Sequence, residues 1–196
     1  MNLVQRAKNI VLTPQSEWQA IAVETTTTAD LYKGYIAPLA AVGVIAAFVG
    51  FTLIGVSIPF MGAHRMSPLS GLSSGLVSYV LMLVGVYVLS LIIDALAPTF
   101  GGEKNQTQAL KLAAYSYTPA WVAGVLQILP VLSILVMLGS LYGIYLLYLG
   151  LPVLMKSPKE KAIPYTVVVM VCAIVIGAVF GAVTGAVGGL GAMPMR

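Results

Sequence analysis

The sequence predicts an all-α integral membrane protein with five transmembrane helices preceded by short amphipathic interfacial helices. Charged residues make up only 8% of the 196 residues and apolar residues make up 59%, and the mean hydropathy is +0.98. So few charges could not cover the surface of a soluble domain of this size. Continuous apolar runs of about twenty residues, without period-two alternation, indicate helices and not a β-barrel.

Two short amphipathic helices are predicted before the first span. In the first helix, apolar residues recur at helical spacing; they are Leu3, Val4, Ala7, Ile10 and Val11. Thr13-Pro14 predicts the start of the second helix, and Trp18 suits the headgroup level as an interfacial anchor. The pair would either bind a partner or lie in the interface as anchors. With the polar linker that follows, these helices form a predicted unit over residues 1–30.

The transmembrane domain is predicted over residues 31–196. Its five apolar segments have approximate bounds of 35–58, 76–97, 113–129, 131–155 and 163–190. A loop rich in Gly, Ser and Pro, residues 61–74, is predicted between the first two spans. Leu129-Pro130 is predicted as a tight turn, because without it the third and fourth segments would merge into an implausibly long run.

Asp94 is the one acid inside an apolar run, at the start of a polar connector that ends at Pro119. Intramembrane acids are costly and are functional candidates by default. Asp94 either handles a proton or an ion, or pairs with a polar group near the start of the third span, Gly101 and Gly102 allowing the chain to reverse. The candidate polar site comprises Asp94, Tyr115, Tyr117, Pro119, Tyr142 and Tyr145.

Pro119 interrupts the third predicted span. Broken helices line binding cavities in transporters, but proline-kinked spans also occur for structural reasons alone. The tyrosines of the fourth span, Tyr142 and Tyr145 among them, indicate an aromatic packing and interface stripe and not a cofactor site.

The last span carries a glycine at every fourth position: Gly177, Gly181, Gly185 and Gly189. Four-residue spacing keeps these glycines on nearly one face, so a neighbouring backbone can approach closely. The pattern predicts a helix-packing face, whose partner is either another span of the same chain or a second copy.

No catalytic, cofactor or metal site is predicted. The chain has one cysteine, Cys172, and one histidine, His64 in a polar loop, and its six acids are scattered. Enzymes and metal sites in membranes need such residues grouped. The ten Lys and Arg never form a basic run, which argues against nucleic acid. The expected partners are membrane lipids and either a membrane-protein partner or a second copy.

The basic residues predict the orientation. For five spans, eight Lys and Arg fall on the side of the N-terminus, and only Arg65 and Arg196 fall on the other. Positive charge is retained in the cytoplasm. The N-terminus is therefore predicted to be cytoplasmic and the C-terminus outside.

Three groups of residues together resemble the Yip1 family of small five-span membrane proteins. They are Pro14 with Trp18 and Ile21, then Phe100-Gly101-Gly102 leading to Ala114-Tyr115-Ser116-Tyr117-Thr118-Pro119, then the run from Leu141 to Gly150 before a short basic loop. The resemblance implies five spans and a cytosolic N-terminus. Its eukaryotic members are associated with small prenylated GTPases and vesicle traffic. The short segment before the first span is similar to the compact prokaryotic branch, which implies a bacterial inner membrane.

The leading functional hypothesis is a non-enzymatic membrane protein that organises or binds partner proteins or lipid at the cytoplasmic face. The alternative is a small transporter, channel or lipid-moving protein that uses a polar site around Asp94 and the kinked third span.

Overall fold

The computed structural model describes residues 2–58 and 62–190. In these ranges the helices are α1 (Leu3–Leu12), α2 (Pro14–Val23), α3 (Thr28–Leu31), α4 (Ala37–Val49), α5 (Pro68–Leu96), α6 (Gln106–Ala123), α7 (Ser133–Leu154) and α8 (Lys159–Leu190). Two short strands, β1 (Val56–Ile58) and β2 (Gly62–His64), pair antiparallel between α4 and α5. The protein is therefore a helical bundle with one small hairpin.

Four helical segments of the described chain are long and apolar enough to cross a membrane: Thr28–Ile54, Pro68–Phe100, Pro130–Leu154 and Lys159–Gly188. They correspond to the first, second, fourth and fifth predicted spans. The segment predicted as the third span is α6 with 3-10 turns over Gly124–Ile128, and it does not meet the same criterion. α6 contacts the first span, α5 and α7. Because these helices surround it, α6 can carry polar side chains that a lipid-facing helix would expose to the membrane.

The first span begins earlier than predicted, within the polar linker. The Thr27 side chain accepts a hydrogen bond from the Asp30 amide at 3.1 Å, so Thr27 caps the helix. π-helical turns over Tyr32–Ile36 and Gly50–Ile54 extend α3 and α4 into one helical segment. Gly55, at φ +83°, ends it in a conformation that favours glycine.

The second span also begins earlier than predicted, within the Gly/Ser/Pro-rich loop. Ser67 caps α5 by accepting from the Ser70 amide at 3.2 Å, and Pro68 occupies the first turn. Ser73 and Ser74 donate to the Ser70 carbonyl at 3.1 and 2.6 Å. Serine hydroxyls that donate to carbonyls of the preceding turn can be accommodated within a helix. The prediction of a loop up to residue 74, made from the Gly, Ser and Pro content, is therefore wrong after Ser67.

α6 and the first span run side by side in the same direction. The Tyr35 and Thr118 hydroxyls share a hydrogen bond of 2.8 Å. Further along, a Cβ built on Gly124 would lie 3.0 Å from the Gly43 Cα. We call the end of the bundle at which α1 and α2 pack the near end, and the end at Ile54 the far end.

α7 returns from the far end in close contact with α6. A Cβ on Gly139 would lie 2.7 Å from the Pro119 carbonyl oxygen, and one on Gly143 would lie 2.5 Å from that of Ser116. These distances are too short for any real side chain, so two glycines spaced by four allow the two backbones to meet. α6 remains helical through Pro119 as far as Ala123.

The predicted glycine face of α8 makes no such contact within this chain. A Cβ built on Gly177, Gly181 or Gly185 meets nothing within 4 Å, and the surroundings of Gly189 lie outside the described residues. The alternative in which this face packs on another span of the same chain is therefore wrong at these three positions. Packing on a second copy stays a prediction.

Candidate functional site

Arg6 of α1 is buried at the near end and holds two acids. Its Nη1 donates to Glu17 Oε1 at 2.6 Å, and its Nη2 donates to Glu24 Oε2 at 2.5 Å. Asn9 Nδ2 donates to the other Glu17 oxygen at 3.1 Å. Charge-assisted pairs of this kind are strong when they are shielded from water. The predicted apolar stripe is wrong in part, because Arg6 faces inward and Val4 is 68% exposed.

Lys111 of α6 is buried beneath the end of α2. Its ammonium donates to the Ile21 carbonyl at 3.0 Å and to the Glu24 carbonyl, and Gln108 Nε2 donates to the Ala22 carbonyl at 2.9 Å. These donors satisfy carbonyls left free where α2 ends, and so fasten α2 to α6. Sequence reasoning missed Lys111; its only signal was a lysine within an apolar run.

Trp18 is buried in the protein core, so the prediction that it anchors the chain in the headgroups is wrong: its side chain has no surface to present to lipid. Its ring meets Tyr115 edge-on with centroids 6.3 Å apart. A Cβ on Gly150 would lie 2.9 Å from Trp18 Cε2. Arg6 Cζ lies 5.8 Å from the Tyr115 ring centroid, within cation–π range. The indole has this position because α2 packs on α6 and α7.

Tyr142 fastens α1 to α7. Its hydroxyl donates to the Val11 carbonyl at 2.8 Å, and its ring lies 5.6 Å from that of Tyr145, which is 44% exposed. Together with the contacts of Arg6 and Lys111, this bond makes α1 and α2 a fixed part of the bundle. We call α1, α2 and their contacts with α6 and α7 the near-end cap.

Asp94 is separate from the tyrosines with which it was grouped. Its Oδ1 is buried and has no hydrogen-bond partner among the described residues, whereas Tyr115 is packed against Arg6 and Trp18. The predicted pairing of Asp94 with the start of α6 is therefore wrong, because the near-end cap covers Tyr115. At the residue before Asp94, the Tyr165 hydroxyl of α8 donates to the Ile93 carbonyl.

The connector after α5 folds against the loop after α7. Gly101 has φ +73°, a conformation that favours glycine, and the Glu103 amide donates to the Met155 carbonyl at 2.8 Å. On the surface, Lys156 and Glu103 form an ion pair at 2.6 Å. The chain thus leaves this end through α6 and returns to it through α7.

Tyr117 belongs to a different site, a cleft at the far end with a volume of about 510 Å³. The rings of Tyr117 and Trp121 stack with centroids 5.8 Å apart, and Trp121 Nε1 donates to Met82 Sδ at 3.1 Å. Serine and threonine side chains from four different helical segments line the same space. The predicted polar site is thus divided: Tyr115 and Tyr142 are in the near-end cap, Tyr117 is in the cleft, and Asp94 stands apart.

The described residues bring no three His, Cys, Asp or Glu side chains together in a group that could hold a metal ion. In the near-end cap, Arg6 forms ion pairs with both Glu17 and Glu24, and these pairs join α1 to α2 and the residue after it.

The comparisons with known proteins agree with an integral membrane protein. The family model of the Yip1 domain matches residues 8–183. Two relatives, each an inner membrane protein YohC, come from Escherichia coli strain K12 and from Escherichia coli O6:H1. Each is 28% identical to the chain over 156 residues, which covers 78% of this chain and 80% of the relative. No solved structure matches the chain. Because the family model extends over most of the sequence, the chain belongs to the Yip1 domain family.

Proposed function

We propose that the protein is a non-enzymatic inner membrane protein that binds and organises partner membrane proteins at the cytoplasmic face, with the near-end cap as the docking surface. The observation that carries this proposal is the rigid attachment of α1 and α2. Arg6 and Lys111 are buried and bonded to groups on α2 or just after it. A buried charge that loses its partner is costly, so the two helices stay in place and present one fixed surface.

The outward side of α1 supports a docking role. Val4, Lys8 and Leu12 recur at every fourth position and are exposed, and Val23 at the end of α2 is 84% exposed. Val4 and Leu12 lie two turns apart on one face of α1, and apolar anchors at helical spacing on one face are the pattern by which helices recognise partners. The single lysine among them also fits a surface next to anionic headgroups, and lipid is the competing occupant.

Photo-crosslinking in native membranes tests this proposal. A photoreactive amino acid at Val4 or Leu12 is expected to yield one protein adduct of defined mass. The same probe at Gln15, which is exposed on α2, serves as the matched control and should yield much less. Adducts with lipid alone at Val4 and Leu12 would make the cap an interfacial anchor and would refute the docking role.

We further propose that α6 with its 3-10 extension is the fifth crossing, with the N-terminus in the cytoplasm. The contact of Glu103 with Met155 and Lys156 supports this, because the loops before α6 and after α7 meet at one end. α7 is long and apolar enough to cross the membrane. If α7 crosses and the two loops lie on the same side, then α6 must cross as well.

Cysteine labelling decides the topology. In a Cys172→Ala background, an impermeant maleimide added to intact cells or spheroplasts should label Arg65→Cys and leave Lys104→Cys and Lys159→Cys unlabelled until the membrane is opened. All three positions are exposed. Lys159→Cys discriminates most sharply, because four crossings without α6 would put it outside. Labelling of Lys159→Cys from outside the intact membrane would contradict the five-span arrangement.

A small transporter or lipid-moving protein is the second candidate. One observation favours it: Asp94 Oδ1 is buried and has no hydrogen-bond partner among the described residues. An acid within a span is costly and is a common mark of function. Asp94 does not line the far-end cleft, however. Solute or ion movement in liposomes that Asp94→Asn abolishes, without unfolding the protein, would favour this candidate.

A further inference from the structure

We propose that the far-end cleft binds one acyl chain of a phospholipid from the adjoining leaflet, as a specific and retained ligand. This site goes beyond the proposed function, since it lies at the opposite end of the bundle from the near-end cap. The cleft is bounded by the first span, α5, α6, α7 and the outer part of α8. Its volume of about 510 Å³ is within the range of small-molecule sites.

The depth of the cleft matches one leaflet. On α5 its wall extends from Gly71 to Met82, twelve residues whose eleven steps rise by about 16 Å along a helix. Half of a bilayer's hydrocarbon core is about 15 Å thick. A cleft of this length, made by membrane-spanning helices, has lipid tails as its surrounding medium.

The wall offers surface for both parts of a lipid. Thr52 and Gln127, near the far ends of their helical segments, present polar groups at the rim beside apolar Phe51 and Met66. Deeper in the cleft, Met82 and Trp121 present thioether and aromatic surface, with the hydroxyl of Ser140 among them. The ester and glycerol groups of a phospholipid would meet Thr52 and Gln127, and its tail would extend along Met82 and Trp121.

Thr52 supplies an independent indication of a ligand. Thr52 lines the cleft and is 7% exposed, and its Oγ1 has no hydrogen-bond partner among the described residues. A buried hydroxyl without a partner costs free energy, and an ester oxygen at the rim would accept its proton. A second cavity of about 220 Å³ shares Tyr117 and Ala120 with the cleft, and there the Ser116 hydroxyl is likewise unpartnered among the described residues.

The first test is lipid retention. Protein purified from membranes and passed through exhaustive detergent exchange is expected to keep about one phospholipid per chain in native mass spectrometry. Ala47→Phe, which projects a ring into the cleft, should lose it. Ala182→Phe makes the same change at an exposed position of α8 and should keep it. Thr52→Val removes the hydroxyl at nearly constant shape and should weaken retention roughly three- to tenfold.

The second test needs no variant and holds even if Ala47→Phe fails to fold. Wild-type protein in liposomes that contain a phospholipid with a diazirine on its acyl chain should be labelled at Met82, Tyr117 or Trp121. Labelling confined to outward positions such as Leu76 and Val80 would overturn the proposal. So would a wild type that retains no lipid, an Ala47→Phe variant that is folded and retains as much as wild type, or crosslinks from the cleft to a second copy.

Discussion

Replacing Arg6 with alanine is expected to lower the free energy of unfolding by about 3–5 kcal/mol, the largest loss we expect at a charged residue of this chain. The change would leave Glu17, which is 6% exposed, as a buried acid without its cation. The Glu24 bond and the contact with the Tyr115 ring would be lost as well. Denaturant unfolding in detergent micelles, followed by tryptophan fluorescence, measures the global effect.

The effect can also be local, because α1 and α2 can detach while the spans remain packed. Hydrogen exchange of the amides in residues 3–23 should then accelerate by about two to four orders of magnitude, the equivalent of that free energy. Arg6→Lys should give an intermediate result, since an ammonium cannot engage two carboxylates as a guanidinium does. Lys8→Ala, on the exposed side of α1, is the control and should change stability by less than about 0.5 kcal/mol. Equal effects at residues 6 and 8 would show that the cap is not held by this network.

The second large effect is expected at Gly143 of α7. Gly143→Ala should destabilise the protein by about 1–3 kcal/mol, although alanine is the better helix former, because its Cβ would lie 2.5 Å from the Ser116 carbonyl oxygen. Two backbones in contact must separate to make room, and the neighbouring contact at Gly139 would be loosened as well. Unfolding by denaturant, again in micelles, measures the change.

Gly181→Ala is the matched control on α8. Nothing lies within 4 Å of a Cβ at Gly181, so helix propensity alone should act and the variant should be neutral or gain up to about 1 kcal/mol. A bulkier change, Gly181→Leu, tests the predicted contact with a second copy, since it should weaken an oligomer without unfolding the chain. Similar losses for Gly143→Ala and Gly181→Ala would contradict the assignment of the close contact to α7.

The glycines show how local pattern and tertiary contact differ. The sequence predicts a face that a backbone can approach at the repeat on α8, and Gly139 and Gly143 of α7 have the same four-residue spacing. At the positions that the structure describes, the pair on α7 meets a neighbouring backbone, whereas Gly177, Gly181 and Gly185 of α8 do not. Spacing places residues on one face of a helix. Which face meets a neighbour depends on the order in which helices pack.

Buried charge was the harder feature to predict. On a helical wheel Arg6 falls on the polar side of α1, and Lys111 counts toward the cytoplasmic surplus of positive charge. Both are buried because acids or free carbonyls from other segments reach them: Glu17 and Glu24 for Arg6, and the Ile21 and Glu24 carbonyls for Lys111. Partners eleven to ninety residues away along the chain leave no periodic trace in the sequence.

The sequence by itself determined the membrane class and most of the helical segments, because composition and runs of apolar residues report directly on the surrounding medium and on helix length. It also indicated glycine for the reversal at Gly101, which has a positive φ. Only the tertiary structure decided that Trp18 is core, that Asp94 and Tyr115 are apart, and that Tyr117 lines a cleft. These outcomes depend on the packing of helices that are distant in sequence, which decides whether a side chain meets protein, lipid or an open cleft.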